Sequence, residues 1–333
     1  MKFISKCTED ALLKAAKALK EGHLVAFPTE TVYGLGADAT NENAVSKIYS
    51  VKGRPTDHPL IVHISSINRL RDWATDIPDY ANKLAKVFWP GPMTLILPRN
   101  KIAKDFITGG QSNVGLRVPD QRIALELLKK FEELGGYGIA APSANRFGAV
   151  SPTTAKAVNE ELGLYFSKDD LVLDGGPCQI GIESTIIDCT GSAPRILRPG
   201  VITRENINKE LTVELREDNH TQTKSSGMLL SHYSPRAKVV LDKIPTSGNG
   251  MIALVEHDTP RGVIRLASPS NVEEFARTLY AALRLGDHMK IEKITIFQPQ
   301  YRGLGVAIRD RLRKIAHEAD FASLNEQNSI IKS

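Results

Sequence analysis

Apolar and polar residues alternate along the first two thirds of the chain in a way that predicts helices and short strands in turn. Apolar side chains recur every three or four residues within 12–19 and within 41–51, which is the spacing of an amphipathic helix. Short apolar runs at 23–27 and 60–64 predict strands. Further strands are predicted at 93–97, 114–119, 138–141, 171–174, 184–188 and 196–198, and further helices at 67–74, 79–88, 122–131 and 153–162. This alternation predicts an α/β fold.

A long polar interval follows, and a second, smaller set of elements lies beyond it. Residues 212–236 are polar with little periodicity, and a loop of that length is usually a linker or a functional lid. Beyond the interval, strands are predicted at 237–241, 251–255 and 294–297, and helices at 272–285 and 306–319. We therefore expect a first domain over 1–211, a linker or lid over 212–236 that contains Tyr233, and a smaller α/β domain over 237–333.

The polar stretch after the strand at 23–27 is the first candidate site. Pro28 cannot donate to a strand ladder, so the strand should end there. Three hydroxyls and a carboxylate then fall between Thr29 and Tyr33, and two glycines follow. We interpret this as a site between a strand end and a helix start, although an ordinary polar loop stays possible. The segment 34–39 fits a dinucleotide fingerprint, but six residues separate it from the strand, which argues against nicotinamide binding.

Composition limits the classes of ligand and compartment. The chain has 333 residues, enough for about two domains. A formal charge of +5 permits a polyanionic ligand such as a nucleotide or RNA, but does not establish either. Cys7, Cys178 and Cys189 match no metal or redox spacing, so we expect reduced structural thiols. We see no hydrophobic signal core and no membrane-spanning apolar run, and expect a soluble cytoplasmic protein.

Cations, hydroxyls and amides gather in the predicted loops. Arg117 stands among apolar neighbours in a strand, where a buried arginine needs an anion. Some of these residues have structural alternatives: Lys52 and Arg54 could cap a helix end, His63 could be a satisfied core histidine, and Ser151 could belong to a helix cap. The excess of cations over carboxylates indicates a polyanionic ligand and favours phosphoryl or nucleotidyl transfer. The set comprises Thr29, Thr31, Lys52, Arg54, Arg117, Ser143, Asn145, Ser151 and Arg198.

Four motifs taken together resemble the YrdC/Sua5 family. They are residues 27–37, the lysine and arginine within 52–55, the serine and asparagine within 143–145, and the Glu-Ser-Thr at 183–185. The resemblance covers essentially the whole chain, and the length and the His-Tyr-Ser-Pro at 232–235 are similar to the two-domain Sua5 form. It implies a YrdC-like twisted mixed sheet with helices, followed by a smaller Rossmann-like α/β domain. It also implies a nucleotidyltransferase, a threonylcarbamoyl-AMP synthase, which makes L-threonylcarbamoyladenylate and pyrophosphate from L-threonine, bicarbonate and ATP.

The resemblance also implies roles for particular residues. The tetrad of Lys52, Arg54, Ser143 and Asn145 would form the catalytic set. His58 stands where the family commonly has an asparagine, and Ala141 where a threonine can occur. Threonine contacts are expected from Thr31, His63, Arg117 and Ser184, and ATP contacts from Lys52, Arg54, His58, Asn113, Ser143, Asn145, Ser151, Arg198 and Tyr233. Mg²⁺ would be held mainly by the ATP phosphates, so no residue is assigned as a dedicated metal ligand.

Partners follow from the same resemblance. The product would feed the machinery that forms t6A in tRNA, with weak or no direct tRNA binding and no membrane association. A non-catalytic RNA-binding protein is the main alternative, but it leaves Arg117 unexplained, and no basic stretch interleaved with aromatic residues is visible. A carbamoyl-transferring domain of a hydrogenase-maturation enzyme would require zinc-finger and acylphosphatase-like segments, which we do not find.

Overall fold

The computed structural model describes residues 3–211, 213–216 and 234–316. Contacts divide these residues into two compact units, each with its own sheet. The first unit comprises the described residues up to 147 and those from 151 to 216, and the second comprises 148–150 and 234–316. Each unit combines strands with helices, so the predicted α/β class is confirmed.

The first unit is built on a mixed sheet of ten strands in the order β1-β8-β2-β3-β7-β4-β6-β5-β9-β10. The strands are β1 Ile4–Lys6, β2 Val25–Phe27, β3 Gly34–Asp38, β4 Ile61–His63, β5 Met93–Pro98, β6 Asn113–Arg117, β7 Ile139–Ala140, β8 Leu171–Asp174, β9 Thr185–Asp188 and β10 Arg195–Arg198. β4 and β6 are parallel, β5 is antiparallel to β6, and β9 is parallel to β5 but antiparallel to β10. The sheet therefore joins strands that are far apart along the chain.

The helices of this unit begin and end where the sequence supplies caps. Thr8 accepts from the backbone N of Ala11 at the start of α1, and Gly53, at φ 61°, ends α2. The helices are α1 Glu9–Lys20, α2 Glu42–Lys52, α3 Leu70–Trp73, α4 Asp79–Phe88, α5 Asp105–Thr108, α6 Arg122–Glu133, α7 Ala155–Leu162 and α8 Arg204–Glu210, with a 3₁₀ turn at Ile67–Arg69. Their apolar faces cover the sheet and form two buried clusters.

One strand of this sheet departs from the sequence prediction. The residues after the polar stretch form β3, which lies antiparallel between β2 and β7, instead of leading directly into a helix. Gly36 is required there, because a Cβ would lie 2.8 Å from both Ile139 Cγ2 and Phe27 Cε1. β1 and α8 were also not predicted, since both are short and carry little apolar periodicity.

The second unit is a four-stranded parallel sheet in the order β11-β14-β12-β13. Its elements are β11 Lys238–Leu241, β12 Gly250–Ile252, β13 Ile264–Ala267, α9 Val272–His288, β14 Lys293–Ile296 and a helix α10 over 304–316. β13 was missed, because Arg265 interrupts its apolar run. Over the part of the chain that the structure describes, no helix is both long and apolar enough to cross a bilayer.

Candidate active site

The polar stretch after β2 is a tightly bonded loop. Thr29 Oγ1 donates to the carbonyl of Val32 at 2.6 Å and accepts from the backbone nitrogens of Thr31 and Val32, both at 3.2 Å. Thr29 therefore fixes the turn from within. We call residues 28–33 the central loop.

Backbone hydrogen bonds tie the central loop to three distant segments. Tyr33 donates from its backbone N to the carbonyl of Pro152, and its own carbonyl accepts from Ala144. The carbonyls of Glu30 and Thr31 accept from Ile180 and Gly181. The segments that carry Ser143, Ser151 and Ser184 are thus brought to one place, as the sequence motifs predict.

Four predicted residues lie along one edge of the sheet. His63 and Arg117 end the parallel strands β4 and β6 and are register partners. Ser184 immediately precedes β9, and Arg198 ends β10, which pairs with the beginning of β9. Because β9 is parallel to β5 and β5 is antiparallel to β6, all four positions fall at the same edge.

Arg117 makes a buried ion pair with a carboxylate of the central loop. Its Nη2 donates to Glu30 Oε1 at 2.6 Å and to Thr31 Oγ1 at 3.0 Å, and side-chain exposure is 6% for Arg117 and 4% for Glu30. A buried arginine needs an anionic partner, and for Arg117 that partner is Glu30 of the same chain. Arg117 Nε and Glu30 Oε2 are both buried and have no hydrogen-bond partner among the described residues.

His63 is buried beside this pair. Its ring meets Phe27 edge-on, with centroids 6.0 Å apart. Burial, and then the charge of Arg117, lower the pKa of His63 to about 3, so the imidazole is neutral at physiological pH. Its buried Nδ1 meets no hydrogen-bond partner of good geometry within the described residues, although the backbone of Ile61 and Ile139 lies close enough to raise the pKa of the ring slightly.

Hydroxyls surround Arg198 at the same edge. Arg198 donates from Nε to the carbonyl of Ser184 at 3.0 Å and from Nη2 to its Oγ at 3.1 Å. Ser184 Oγ also lies 2.8 Å from Thr94 Oγ1, and Ser151 Oγ donates to Glu183 Oε1 at 2.7 Å. The predicted residues Ser151, Ser184 and Arg198 thus form one buried polar group.

Lys52 joins the two halves of the predicted tetrad. It is fully buried at the end of α2, and its Nζ donates to the carbonyls of Ser143 and Asn145 at 2.6 and 2.5 Å. Burial, and then the nearby charge of Arg54, hold the pKa of Lys52 well below its ordinary range. Since Gly53 already ends the helix in the left-handed conformation, the lysine side chain connects the end of α2 to the loop of Ser143 and Asn145 rather than capping the helix.

The remaining predicted nucleotide residues lie towards the other end of β4 and β6. Arg54 donates to the carbonyl of Pro59 at 3.0 Å, and its guanidinium lies 5.9 Å from the ring centroid of Phe147, which also packs edge-on against His58. Asn113 begins β6, whereas Arg117 ends it. Four residues of strand span roughly 13 Å, so the predicted nucleotide contacts extend from Asn113 to Arg198 rather than forming one compact group.

Several site residues were not predicted, and one prediction lies outside the structure. Glu30 and Glu183 belong to the motifs that carry the family resemblance, but they received no role. Thr94 gave no signal, because a threonine in a strand is ordinary. Tyr233 and most of the predicted linker or lid lie outside the described residues.

Comparison with known proteins identifies the family. The Sua5/YciO/YrdC family model, described as telomere recombination, matches residues 17–200, and a model of the threonylcarbamoyl-AMP synthase C-terminal domain matches residues 202–317. The chain belongs to the Sua5 family. It is therefore an enzyme of a nucleotidyl-transferring family, and the predicted family is confirmed.

Curated relatives and solved structures match this Sua5-family chain over nearly its whole length. It is 42% identical to threonylcarbamoyl-AMP synthase from Pyrococcus abyssi, over 90% of this chain and 92% of the relative. Identity to the Bacillus subtilis threonylcarbamoyl-AMP synthase is 38%, over 92% of each chain. The structure of P. abyssi Sua5 complexed with L-threonine matches with a TM-score of 0.84 and 38% identity, covering 95% of this chain and 97% of that one. A doubly substituted variant of the same protein matches with a TM-score of 0.83.

The acidic residues in and near the site are few. Across residues 3–211, 213–216 and 234–316, no group of three or more histidine, cysteine, aspartate or glutamate side chains could hold a metal ion. The buried polar residues of the site are mainly cations and hydroxyls.

Proposed function

We propose that this protein is an L-threonylcarbamoyladenylate synthase. It joins L-threonine, bicarbonate and MgATP to give L-threonylcarbamoyladenylate, pyrophosphate and water, and the product supplies the t6A modification of tRNA. Transferase machinery downstream consumes the reactive adenylate, so the protein itself needs little or no direct contact with tRNA.

The observation that carries this proposal is a series of buried cations in one unit. Each is 7% exposed or less, and their hydrogen bonds run to hydroxyls, to backbone carbonyls and, for Arg117, to the carboxylate of Glu30. They are Lys52, Arg54, Arg117 and Arg198. Buried cations in one unit cost free energy that added negative charge offsets. A triphosphate and an amino-acid carboxylate together provide that negative charge.

The proposed reaction has two steps. The threonine ammonium group first releases a proton to solvent. The neutral nitrogen then bonds to the carbon of bicarbonate with loss of water, which gives a carbamate. A carbamate oxygen then attacks the α-phosphorus of ATP, and the bond from that phosphorus to the oxygen bridging the β-phosphate breaks, so that pyrophosphate leaves. Catalysis of this kind depends mainly on positioning the reactants and stabilising phosphate charge.

The residues divide these tasks between them. Arg117 holds the threonine carboxylate, and neutral His63 and Thr31 complete the amino-acid contacts. Arg198 and Arg54 stabilise phosphate charge from opposite ends of the site. Lys52 fixes the loop that carries Ser143 and Asn145, the other half of the tetrad. Magnesium arrives with ATP and stays bound to its phosphates.

A pyrophosphate-release assay tests the proposed reaction. With MgATP present, purified protein should release pyrophosphate only when both L-threonine and bicarbonate are added, because the carbamate is the nucleophile. The matched controls omit one substrate at a time. Release that does not depend on threonine would overturn the assignment, and tight RNA binding without turnover would favour the RNA-binding alternative.

A further inference from the structure

The ion pair between Arg117 and Glu30 leaves open polar atoms on both of its members. Only Oε1 of Glu30 accepts a hydrogen bond, and Arg117 Nε donates to no described residue. The Nδ1 atom of nearby His63 is also buried and has no hydrogen-bond partner of good geometry among the described residues. A buried polar atom without a partner destabilises the fold, because it has lost its water without gaining a hydrogen bond. Three such atoms in one small cluster therefore indicate a ligand position rather than a finished structural core.

The charges of this cluster sum to zero. Arg117 contributes one positive charge and Glu30 one negative charge, while His63 is neutral. Cys178 is buried against the same pair; burial, and then the charge of Glu30, raise the pKa of its thiol to about 12, so it is neutral as well. A zwitterion such as a free α-amino acid enters this cluster without adding net charge, and it offers an anion to Arg117 and a cation to Glu30.

We propose that Glu30 binds the α-ammonium group of the substrate amino acid, while Arg117 binds its carboxylate. This inference rests on the proposed function and adds the residue that recognises the amine. The ligand enters between the two side chains, so one pair of opposite charges becomes two pairs and the net charge stays at zero. In the ligand-free protein, Glu30 takes the place of the ligand carboxylate at Arg117 Nη2 and keeps the arginine in position.

Hydrogen bonds of the central loop fix the position of the Glu30 backbone. The backbone carbonyl of Glu30 accepts from Ile180, and the turn beside it is fixed by the Thr29 hydroxyl. The Glu30 side chain therefore starts from a fixed backbone and needs only rotation of its own torsions to turn from the arginine to an ammonium group. Its contact places the nitrogen that becomes the nucleophile once the ammonium proton has left, and orientation of a nucleophile is a large part of catalysis in a site of this kind.

The test compares L-threonine with an analogue that lacks only the amine. Calorimetry measures both L-threonine and (R)-3-hydroxybutyrate against wild type, Glu30→Gln and, as a matched control, Arg117→Gln. The Glu30→Gln variant keeps an oxygen that Arg117 can bond to, but it removes the charge that the ammonium needs. Its affinity for threonine should fall roughly 10- to 100-fold, the range for losing a hydrogen bond to a charged group. Its affinity for hydroxybutyrate should stay the same or rise, whereas Arg117→Gln should lose both ligands.

The outcomes separate this inference from the proposed function. If Glu30 only supports Arg117, Glu30→Gln will change the affinities for both ligands by the same factor, and our inference is wrong. The inference also fails, and the function stands, if wild type releases pyrophosphate with threonine while Glu30→Gln binds threonine equally well. If wild type binds no threonine, both proposals fail. Should Glu30→Gln melt before assay temperature, Glu30→Asp replaces it, with an intermediate loss expected for threonine alone.

Discussion

His63 shows how burial sets the charge of a side chain in this site. Its pKa in the folded protein is about 3, against 6.5 for an unperturbed histidine. Below pH 6.5 the unfolded chain therefore binds a proton at this histidine, whereas the folded chain does not. The stability that depends on a neutral His63 is complete above pH 6.5 and is lost as the pH falls towards 3, by at most about 1.4 kcal/mol per pH unit.

We expect wild type to lose more thermal stability between pH 7.5 and pH 5 than the variant His63→Gln, which cannot take up that proton. The predicted difference at pH 5 is up to about 2 kcal/mol, or several degrees in melting temperature. His23→Gln is the control for the substitution itself, because it replaces a second histidine of the first unit, one whose side chain is 25% exposed. Parallel pH profiles for wild type and His63→Gln would show that the ring is not held neutral by the fold.

The sequence predicted the partner type of a residue well where burial of that residue requires a particular kind of partner. A strand arginine needs an anion, and Arg117 has one. The identity of that anion could not be predicted, because Glu30 reaches Arg117 only through the path of the central loop. Thr94 was missed for a different reason: its hydroxyl becomes informative only when Ser184 is found beside it. The roles assigned to the individual site residues stay predictions until variants are measured.

Among the elements, β3 is one that the sequence pattern did not predict. Its run of Gly-Leu-Gly-Ala-Asp has low strand propensity and offers no apolar alternation. It is a strand because β2 and β7 pair with its two sides, which is a tertiary effect. The long amphipathic helices, by contrast, were predicted to within a few residues, since their apolar periodicity is local.

Gly36→Ala should destabilise the first unit by roughly 1–3 kcal/mol, because the new methyl group would overlap Ile139 and Phe27 at 2.8 Å. Gly115→Ala is the matched control in the same sheet. A Cβ there meets Ile61 and Thr94 at ordinary distances of 3.5 and 3.6 Å, so the change should be small. Melting curves of both variants provide the measurement, and equal shifts would contradict the close approach at Gly36.

For the whole molecule, the family resemblance supplied what local patterns could not. Apolar periodicity predicted an α/β protein of about two domains. The mixed strand order of the large sheet could not be predicted in this way, because it follows from pairings between distant segments. The domain boundaries at 211 and 236 and the role of Tyr233 stay predictions, since much of that interval lies outside the described residues. All four predicted threonine residues lie in the first unit.

A core change in the second unit should therefore alter stability without altering threonine affinity. Leu279 is fully buried on α9, and Leu279→Ala should cost about 2–5 kcal/mol in that unit. Leu285→Ala on the same helix is the matched control, because Leu285 is 44% exposed and its loss should stay within about 0.5 kcal/mol. Calorimetry at 25 °C should give the wild-type threonine affinity for both variants; a large loss in Leu279→Ala would contradict this separation.

The order of strands in the large sheet has a consequence for synthesis on the ribosome. Ile4 pairs with Val172, and Met93 pairs with Thr185. Strands that are synthesised early can therefore pair only after much later segments have been synthesised. Such high contact order slows folding, because loop closure must precede the pairing that stabilises it. Until β9 and β10 leave the exit tunnel, the nascent chain exposes unpaired apolar strand edges, which are targets for aggregation and for chaperones. The ligand site is therefore among the last parts of the first unit to form.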